Sequence, residues 1–247
     1  MNMQAAKLFS QFILADKPAR IKLLGDSITH GHSGTGYCQD GAHIVDGFYR
    51  NDHGYCWANL MRDFLASQYG MQVINNGCSG TTIRNTLENF DELVEDDDDL
   101  VICNIGTNSR LHFEKDGPCP SREEKLRLVY RQMSELAEKF QKIRKPVIFV
   151  ANIPAINEED GICAGEPYYQ VIHVNDIHDL WVKVCCERDI PLIDLYTAMN
   201  DYCDVHNIPL NDLLADRLHP NDRGYEVIFR LMMRQLGIAL PCKEAQY

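Results

Sequence analysis

No Cys-x-x-Cys pair occurs anywhere in this chain, although it holds ten cysteines. Cys185 and Cys186 are adjacent and the others are scattered, so neither a zinc-ligand spacing nor a paired-disulfide framework can be read. Cys103 sits inside the apolar run Leu100-Val101-Ile102-Cys103, where a thiol behaves as a small hydrophobe. Positive charge is also in short supply. Lys and Arg total 24 against 36 Asp and Glu, a formal net charge of −12. That balance argues against nucleic acid or an anionic membrane surface as the main partner, because both reward a basic patch. No apolar stretch approaches the length of a membrane-spanning helix, so no membrane insertion is expected. Near the N-terminus, Phe12-Ile13-Leu14-Ala15 is short and cut by Asp16, so no signal peptide is expected and the expected address is the cytoplasm.

Three familiar site motifs are missing as well. Gly31-His32-Ser33-Gly34-Thr35-Gly36 looks like a phosphate loop, but no Lys followed by Ser or Thr completes it, and it misses the dinucleotide glycine pattern. There is no Gly-x-Ser-x-Gly elbow of the ordinary α/β-hydrolase kind. His30 and His32 alternate in a loop, a weak pattern for a metal, and no metal or organic cofactor is expected.

What is present is an alternation of short apolar runs and helix-like segments. Strand-like runs lie at 21–24, 72–75, 100–105, 146–152 and 191–195. They are rich in Val and Ile without strict alternation, as parallel strands covered on both faces should be. Helix-like segments lie at 55–69, just after Thr82, at 122–143 and at 174–187, and a last one should begin after Pro220, which suits the first helical position, and run to Gly237. This order predicts an α/β fold, a three-layer, doubly wound parallel sheet of about five strands, in one domain spanning 1–247. The acidic run Glu95-Asp96-Asp97-Asp98-Asp99 reads as a solvated turn.

The residues with chemistry fall at the ends of these runs. Gly25-Asp26-Ser27 ends the first, Gly77-Cys78-Ser79-Gly80 follows the second, and Gly106-Thr107-Asn108 follows the third. Asp216-Arg217-Leu218-His219 precedes the last helix. A serine attacks well only when an oriented base takes its proton, and Asp and His three apart can supply that base. A backbone N–H and a side-chain amide are the donors an oxyanion needs. In open parallel sheets, sites gather outside the carboxyl ends of the strands. Each residue has a structural alternative: Ser27 as a helix cap, Asp216 and His219 as a capping turn, Asn108 as a turn former, and Gly80 as a positive-φ position. Asp26 is expected to brace its loop.

In that order the four blocks resemble the SGNH (GDSL-type) hydrolase family, which contributes a Ser, a Gly, an Asn and a His in turn. The resemblance covers Ser27 to His219 and implies a flavodoxin-like strand order, 2-1-3-4-5. It implies a serine esterase with Ser27, Asp216 and His219 as the triad and Ser27, Gly80 and Asn108 as the oxyanion hole. The segment from His30 to Gly54, with Tyr37, His43, Phe48, Tyr49, Arg50 and His53, is longer than most connections and is expected to form a polar, aromatic wall of the site. His30, His32, Tyr37 and Arg110 are expected to touch substrate. That wall suits a small-molecule or saccharide ester, most simply a carbohydrate O-acetyl ester. A longer-chain lysophospholipase or thioesterase, an O-acyltransferase using the same triad, and a silent binding module remain alternatives, and the oligomeric state is open.

Overall fold

The computed structural model describes residues 3–38, 43–45, 48–49, 53–156, 158–163 and 165–240. Arg50, expected in the loop beside the site, and Cys242 lie outside them. The chain runs α1 (Met3–Ile13), β1 (Arg20–Gly25), α2 (Ser27–His30), β2 (His43–Val45), β3 (Phe48–Tyr49), α3 (Trp57–Tyr69) and β4 (Gln72–Gly77). It continues through α4 (Ile83–Glu88), α5 (Phe90–Leu93), β5 (Leu100–Asn104), β6 (Leu111–Phe113), α6 (Arg122–Lys142) and β7 (Val147–Ala151). It ends with β8 (Gly161–Cys163), β9 (Glu166–Gln170), α7 (Val174–Arg188), β10 (Leu192–Asp194), α8 (Leu195–His206) and α9 (Asp222–Gln235). No described helix is long and apolar enough to cross a membrane.

Five strands form one parallel sheet in the order β10-β7-β5-β1-β4. The α/β class is therefore as the sequence implied. The count along the chain is not, because five short antiparallel strands, β2-β3 and β6-β9-β8, interrupt it. Their sequences carry too few alternating positions to register as strands. With these left out, the five parallel strands stand in the spatial order 2-1-3-4-5. Helices α1 and α8 were also missed, and the last helix begins after Pro220 as expected, at Asp222, but Asn221 is its cap and Pro220 precedes the cap rather than holding the first helical position.

Strand geometry explains the unbroken apolar runs. Successive side chains point to opposite faces. On one face Ile21, Leu23, Ile102, Ile148, Val150 and Ile193 meet α1, α3, α8 and α9. On the other, Leu24, Val101, Cys103, Val147, Phe149 and Leu192 meet α4, α5, α6 and α7. Both faces are covered, so both sets must be apolar.

Lys22 is the exception, a charged residue of the central strand only 1 % exposed. The acidic run that follows α5 closes over it. Lys22 pairs with Glu95 and, at 3.5 Å, with Asp98, whose side chain is fully buried; Arg20 Nε reaches Asp98 at 3.1 Å. The run is a turn with Asp96, Asp97 and Asp99 exposed, as expected, but Asp98 is buried and half-buried Glu95 is turned to the cations, which the expectation of a solvated turn did not include. A buried ammonium is tolerated only when paired, and this segment supplies the pairs. Lys145 Nζ adds hydrogen bonds to the carbonyls of Glu95, Asp96 and Asp98.

At the far edge, Asp194 ends β10 and caps α8 through the Thr197 N–H, at 2.9 Å. His178 of α7 donates to Asp194 at 3.3 Å and to Asp179 at 2.9 Å, and stacks on Tyr196 with centroids 4.8 Å apart. The hydrogen bond to Asp194 raises the imidazole above its ordinary value, against an opposing effect of burial. The folded state therefore binds this proton more tightly than the unfolded chain does. The stabilisation is complete below the ordinary histidine value and is lost as pH rises through the raised one. The melting-temperature deficit of His178→Gln relative to the native protein should accordingly be larger at about pH 6 than at about pH 9. An equal deficit at both would show that His178 contributes only packing.

Candidate active site

The site is assembled at the carboxyl ends of β1, β4 and β5, beside the loop that leads into α9. Asp26, fully buried, caps α2 by accepting the Ile28 N–H at 3.0 Å, so the cap is Asp26 and Ser27 is the first helical residue. Burial pushes the Asp26 carboxyl up, opposed by the Ile28 N–H and by the Thr107 hydroxyl. Asn152, just past β7, donates to Asp26 at 3.3 Å and to Thr107 Oγ1 at 2.8 Å, and its carbonyl oxygen accepts from Asn104 at 3.4 Å. Sequence reading missed Asn152, for which the only signal was its place at the end of a strand-like run.

The α2 turn is wedged against the sheet. A Cβ on Gly77 would fall 2.4 Å from the His30 nitrogen, so only glycine lets the two backbones approach. Asn75 fastens the same turn by donating to the Thr29 carbonyl at 3.0 Å.

The second half of the site arrives from the other end of the chain. An isolated antiparallel bridge pairs Leu214 with Pro220, and the Ala215 N–H donates to the His219 carbonyl at 2.8 Å. Between them Asp216 accepts the backbone N–H of Leu218 at 3.1 Å and of His219 at 2.7 Å. The loop is docked by two contacts that the sequence could not reveal. The Thr35 N–H and hydroxyl both donate to the Asp222 carboxylate, at 2.8 and 2.6 Å, and the Tyr225 hydroxyl donates to the His32 carbonyl at 2.7 Å.

This places Ser27 Oγ 2.8 Å from His219 Nε2, and His219 Nδ1 2.7 Å from Asp216 Oδ2. Partial burial alone would push the Asp216 carboxyl up. The backbone and side-chain hydrogen bonds from His219 outweigh it and hold the group below the usual carboxylate range. A hydroxyl, an imidazole and an ionised carboxylate in series can move a proton off the hydroxyl while orienting the ring.

Gly80 is exposed with φ +81°, a conformation that L side chains adopt rarely, and an added Cβ there would meet nothing within 4 Å; backbone geometry, not crowding, calls for glycine. Asn108 donates one amide hydrogen to the Thr81 carbonyl at 3.0 Å, and Ser109 Oγ accepts the Ile83 N–H at 3.0 Å. These bonds stitch the loop after β5 to the loop after β4. An amide nitrogen carries two hydrogens, so Asn108 keeps a second one to donate.

The four residues expected to touch substrate divide. His32 and Tyr37 are half-buried beside the site, with the His32 and His219 rings 4.2 Å apart. His30 and Arg110 are each 3 % exposed, which overturns the expectation of direct contact. His30 is turned to Ser79, and Arg110 to the Thr107 carbonyl beneath the loop. Burial first, and the charge of His219 second, hold His32 below its ordinary value, with Asp216 pulling the other way.

Among the described residues two groups could offer three ligands to a metal. Those of His32, Asp216 and His219 lie within 4.8 Å of one another, but the Asp216 and His219 donors are already engaged with each other and with Ser27. Those of Glu95, Asp97 and Asp98 face Arg20 and Lys22. A depression of about 560 Å³ bordered by Asp194, Tyr202, Leu231 and Arg234 lies between α8 and α9 and includes no residue of the Ser27–His219 site.

The fold is shared with the acetylxylan esterase Axe2 of Geobacillus stearothermophilus, with a TM-score of 0.64 and 20 % identity over 92 % of this chain and 97 % of that one. It is shared as well with LAE5, an alpha/beta hydrolase enzyme from the metagenome of Lake Arreo, Spain, with a TM-score of 0.66 and 23 % identity over 93 % of this chain and all of the other. No curated protein sequence is matched. Residues 23–227, which span Ser27 and His219, match the family model of the GDSL-like lipase/acylhydrolases. The chain belongs to that family and is an SGNH-type hydrolase.

Proposed function

We propose that this protein is a serine esterase that removes short acyl groups, acetyl above all, from the hydroxyls of a carbohydrate. The observation that carries the reading is the unbroken series Ser27 Oγ, His219 and Asp216, with contacts of 2.8 and 2.7 Å. His219 takes the Ser27 proton as Oγ bonds to the ester carbonyl carbon. The carbonyl oxygen becomes an oxyanion, met by the Ser27 and Gly80 N–H groups and the Asn108 amide. When the intermediate collapses, the ester C–O bond breaks and His219 hands its proton to the leaving alcohol. Water, deprotonated by the same imidazole, then attacks the acyl-enzyme and releases the acid and Ser27. Asp216 holds the ring and offsets its charge. The depressed basicity of His32 supports the scheme, because a second cation 4.2 Å from His219 would oppose formation of the imidazolium.

The acyl side favours short chains. Each CH₂ needs about 30 Å² of apolar cover to gain ~0.8 kcal/mol. In the segments that carry Gly80 and Asn108, 77–83 and 105–113, the sizeable apolar groups beyond the strand are Ile83, Leu111 and Phe113. Ile83 is fully spent in the core, and the other two are only half-buried. The alcohol side, bordered by His32 and Tyr37, offers rings and hydrogen-bonding groups suited to a sugar. Axe2 is an acetylxylan esterase, and acetylated xylan is of this chemical class, which supports the reading.

With nitrophenyl esters from acetate to decanoate, kcat/KM should be greatest for acetate and fall along the series. A maximum at eight carbons or beyond would overturn the short-chain assignment. Ser27→Ala should abolish labelling by a fluorophosphonate and nearly all turnover, and retained turnover would remove Ser27 as the nucleophile.

Asn108→Ala should lower kcat by roughly 10²–10³ with KM little changed, the ordinary effect of losing one oxyanion donor. A change confined to KM would make Asn108 a substrate-binding residue instead.

A further inference from the structure

The residue before Gly80 is held in a way the proton relay does not require. The Ser79 N–H donates to His30 Nδ1 at 3.2 Å, and the Ser79 hydroxyl lies 3.1 Å from the same nitrogen. The Tyr37 hydroxyl closes the group, 2.9 Å from Ser79 Oγ and 3.4 Å from His30 Nδ1. The His30 and Tyr37 rings meet edge to face with centroids 5.1 Å apart. His30 itself is fixed, for its N–H donates to the Asp26 carbonyl at 2.9 Å and its backbone packs on Gly77. The short helix that carries Ser27 thus carries, three residues on, an imidazole that grips the loop leading to Gly80.

We propose that His30, braced by Tyr37, is a positioning residue of this esterase: through Ser79 it holds the Ser79–Gly80 peptide so that the Gly80 N–H is aimed at the oxyanion formed on Ser27. The inference deepens the esterase reading and rests on Gly80 as a donor. Gly80 is exposed and its added Cβ would meet nothing within 4 Å, so it is held through its neighbours: Asn108 binds the Thr81 carbonyl on one side and His30 binds Ser79 on the other. A donor contributes to rate only if it is in place before charge develops, and a small displacement forfeits much of that contribution. The anchor also requires one protonation state. Hydroxyls can turn to accept, but a backbone N–H cannot, so Nδ1 must carry no proton. Burial, with His32 as the lesser cause, holds His30 down to about 4, which keeps it neutral at ordinary pH.

The test is steady-state kinetics of the purified full chain with nitrophenyl acetate, alongside the rate of fluorophosphonate labelling of Ser27. His30→Leu removes the acceptor and should lower kcat about 10–100-fold with KM within about twofold, and slow labelling in parallel. His30→Asn places an acceptor oxygen near the Nδ1 position and should restore most of the rate. A raised KM at native kcat would overturn the proposal in favour of substrate contact. Unchanged kinetics, or equal impairment of the Leu and Asn variants, would also overturn it. If His30→Leu fails to fold, Tyr37→Phe and Ser79→Ala decide. A kcat lowered about three- to tenfold at constant KM in each supports the anchor, and native kcat in both overturns it. Ser27→Ala in the same assay separates the two readings. If it is inactive while His30→Leu is unaffected, only the anchor falls; if it retains turnover, the esterase reading falls and the anchor with it.

Discussion

Everything at this site depends on holding together two loops that lie at opposite ends of the chain. The Ser27–His219 contact joins residues 192 positions apart, and a side-chain hydrogen bond of that kind is worth only about 1 kcal/mol net. It cannot by itself bear the entropy of ordering both loops. The cost is borne by other contacts. Thr35 gives two hydrogen bonds to Asp222, and Tyr225 spans from the core to the His32 carbonyl. Behind them, α9 seats Tyr225, Ile228 and Met232 in the apolar layer on one face of the sheet. The reactive contact is a consequence of helix docking.

The polar interior follows the same economy. Asp26, Asn104, Thr107 and Asn152 are all buried, and each is linked to another of the set. Buried polar groups are tolerable when their hydrogen bonds are made, and a connected set tends to enforce one geometry. Here that geometry fixes the ends of β1, β5 and β7 relative to one another, the platform on which Ser27 and Asn108 stand. At the opposite end of the sheet Lys22 and Asp98 form a second buried charged group, joined by the half-buried Glu95, with no link to the chemistry. Burial of charge is therefore no sign of a site in this molecule; position at the carboxyl ends of the strands is.

Two histidines near the serine illustrate how environment assigns roles. His219 is bound on both ring nitrogens, by Asp216 and by Ser27, and so is prepared to exchange a proton. His30 is buried and held to about 4, which suits an acceptor that must not change state. Asp216, three residues before His219, marks that histidine as the base in the sequence, whereas nothing around His30 shows that it is a buried acceptor.

The sequence by itself determined the fold class, because both faces of the parallel sheet must be apolar and that requirement writes itself into the runs at β1, β5 and β7. It determined which residues follow β1, β4 and β5, and hence Ser27, Gly80 and Asn108, and it set Asp216 three residues from His219, a spacing at which local geometry can join them. It did not show β2-β3 or β6-β9-β8, whose strands of two to five residues carry little periodicity. Nor did it show that Asp98 faces Lys22, or that His30 and Arg110 turn inward while His32 lies against His219. Those outcomes depend on contacts such as Lys22 with Asp98, 76 positions apart by number, and Tyr225 with His32, which only packing creates. A residue's type and spacing carry its chemical capacity, but burial and partners decide its use, and both are properties of the folded chain.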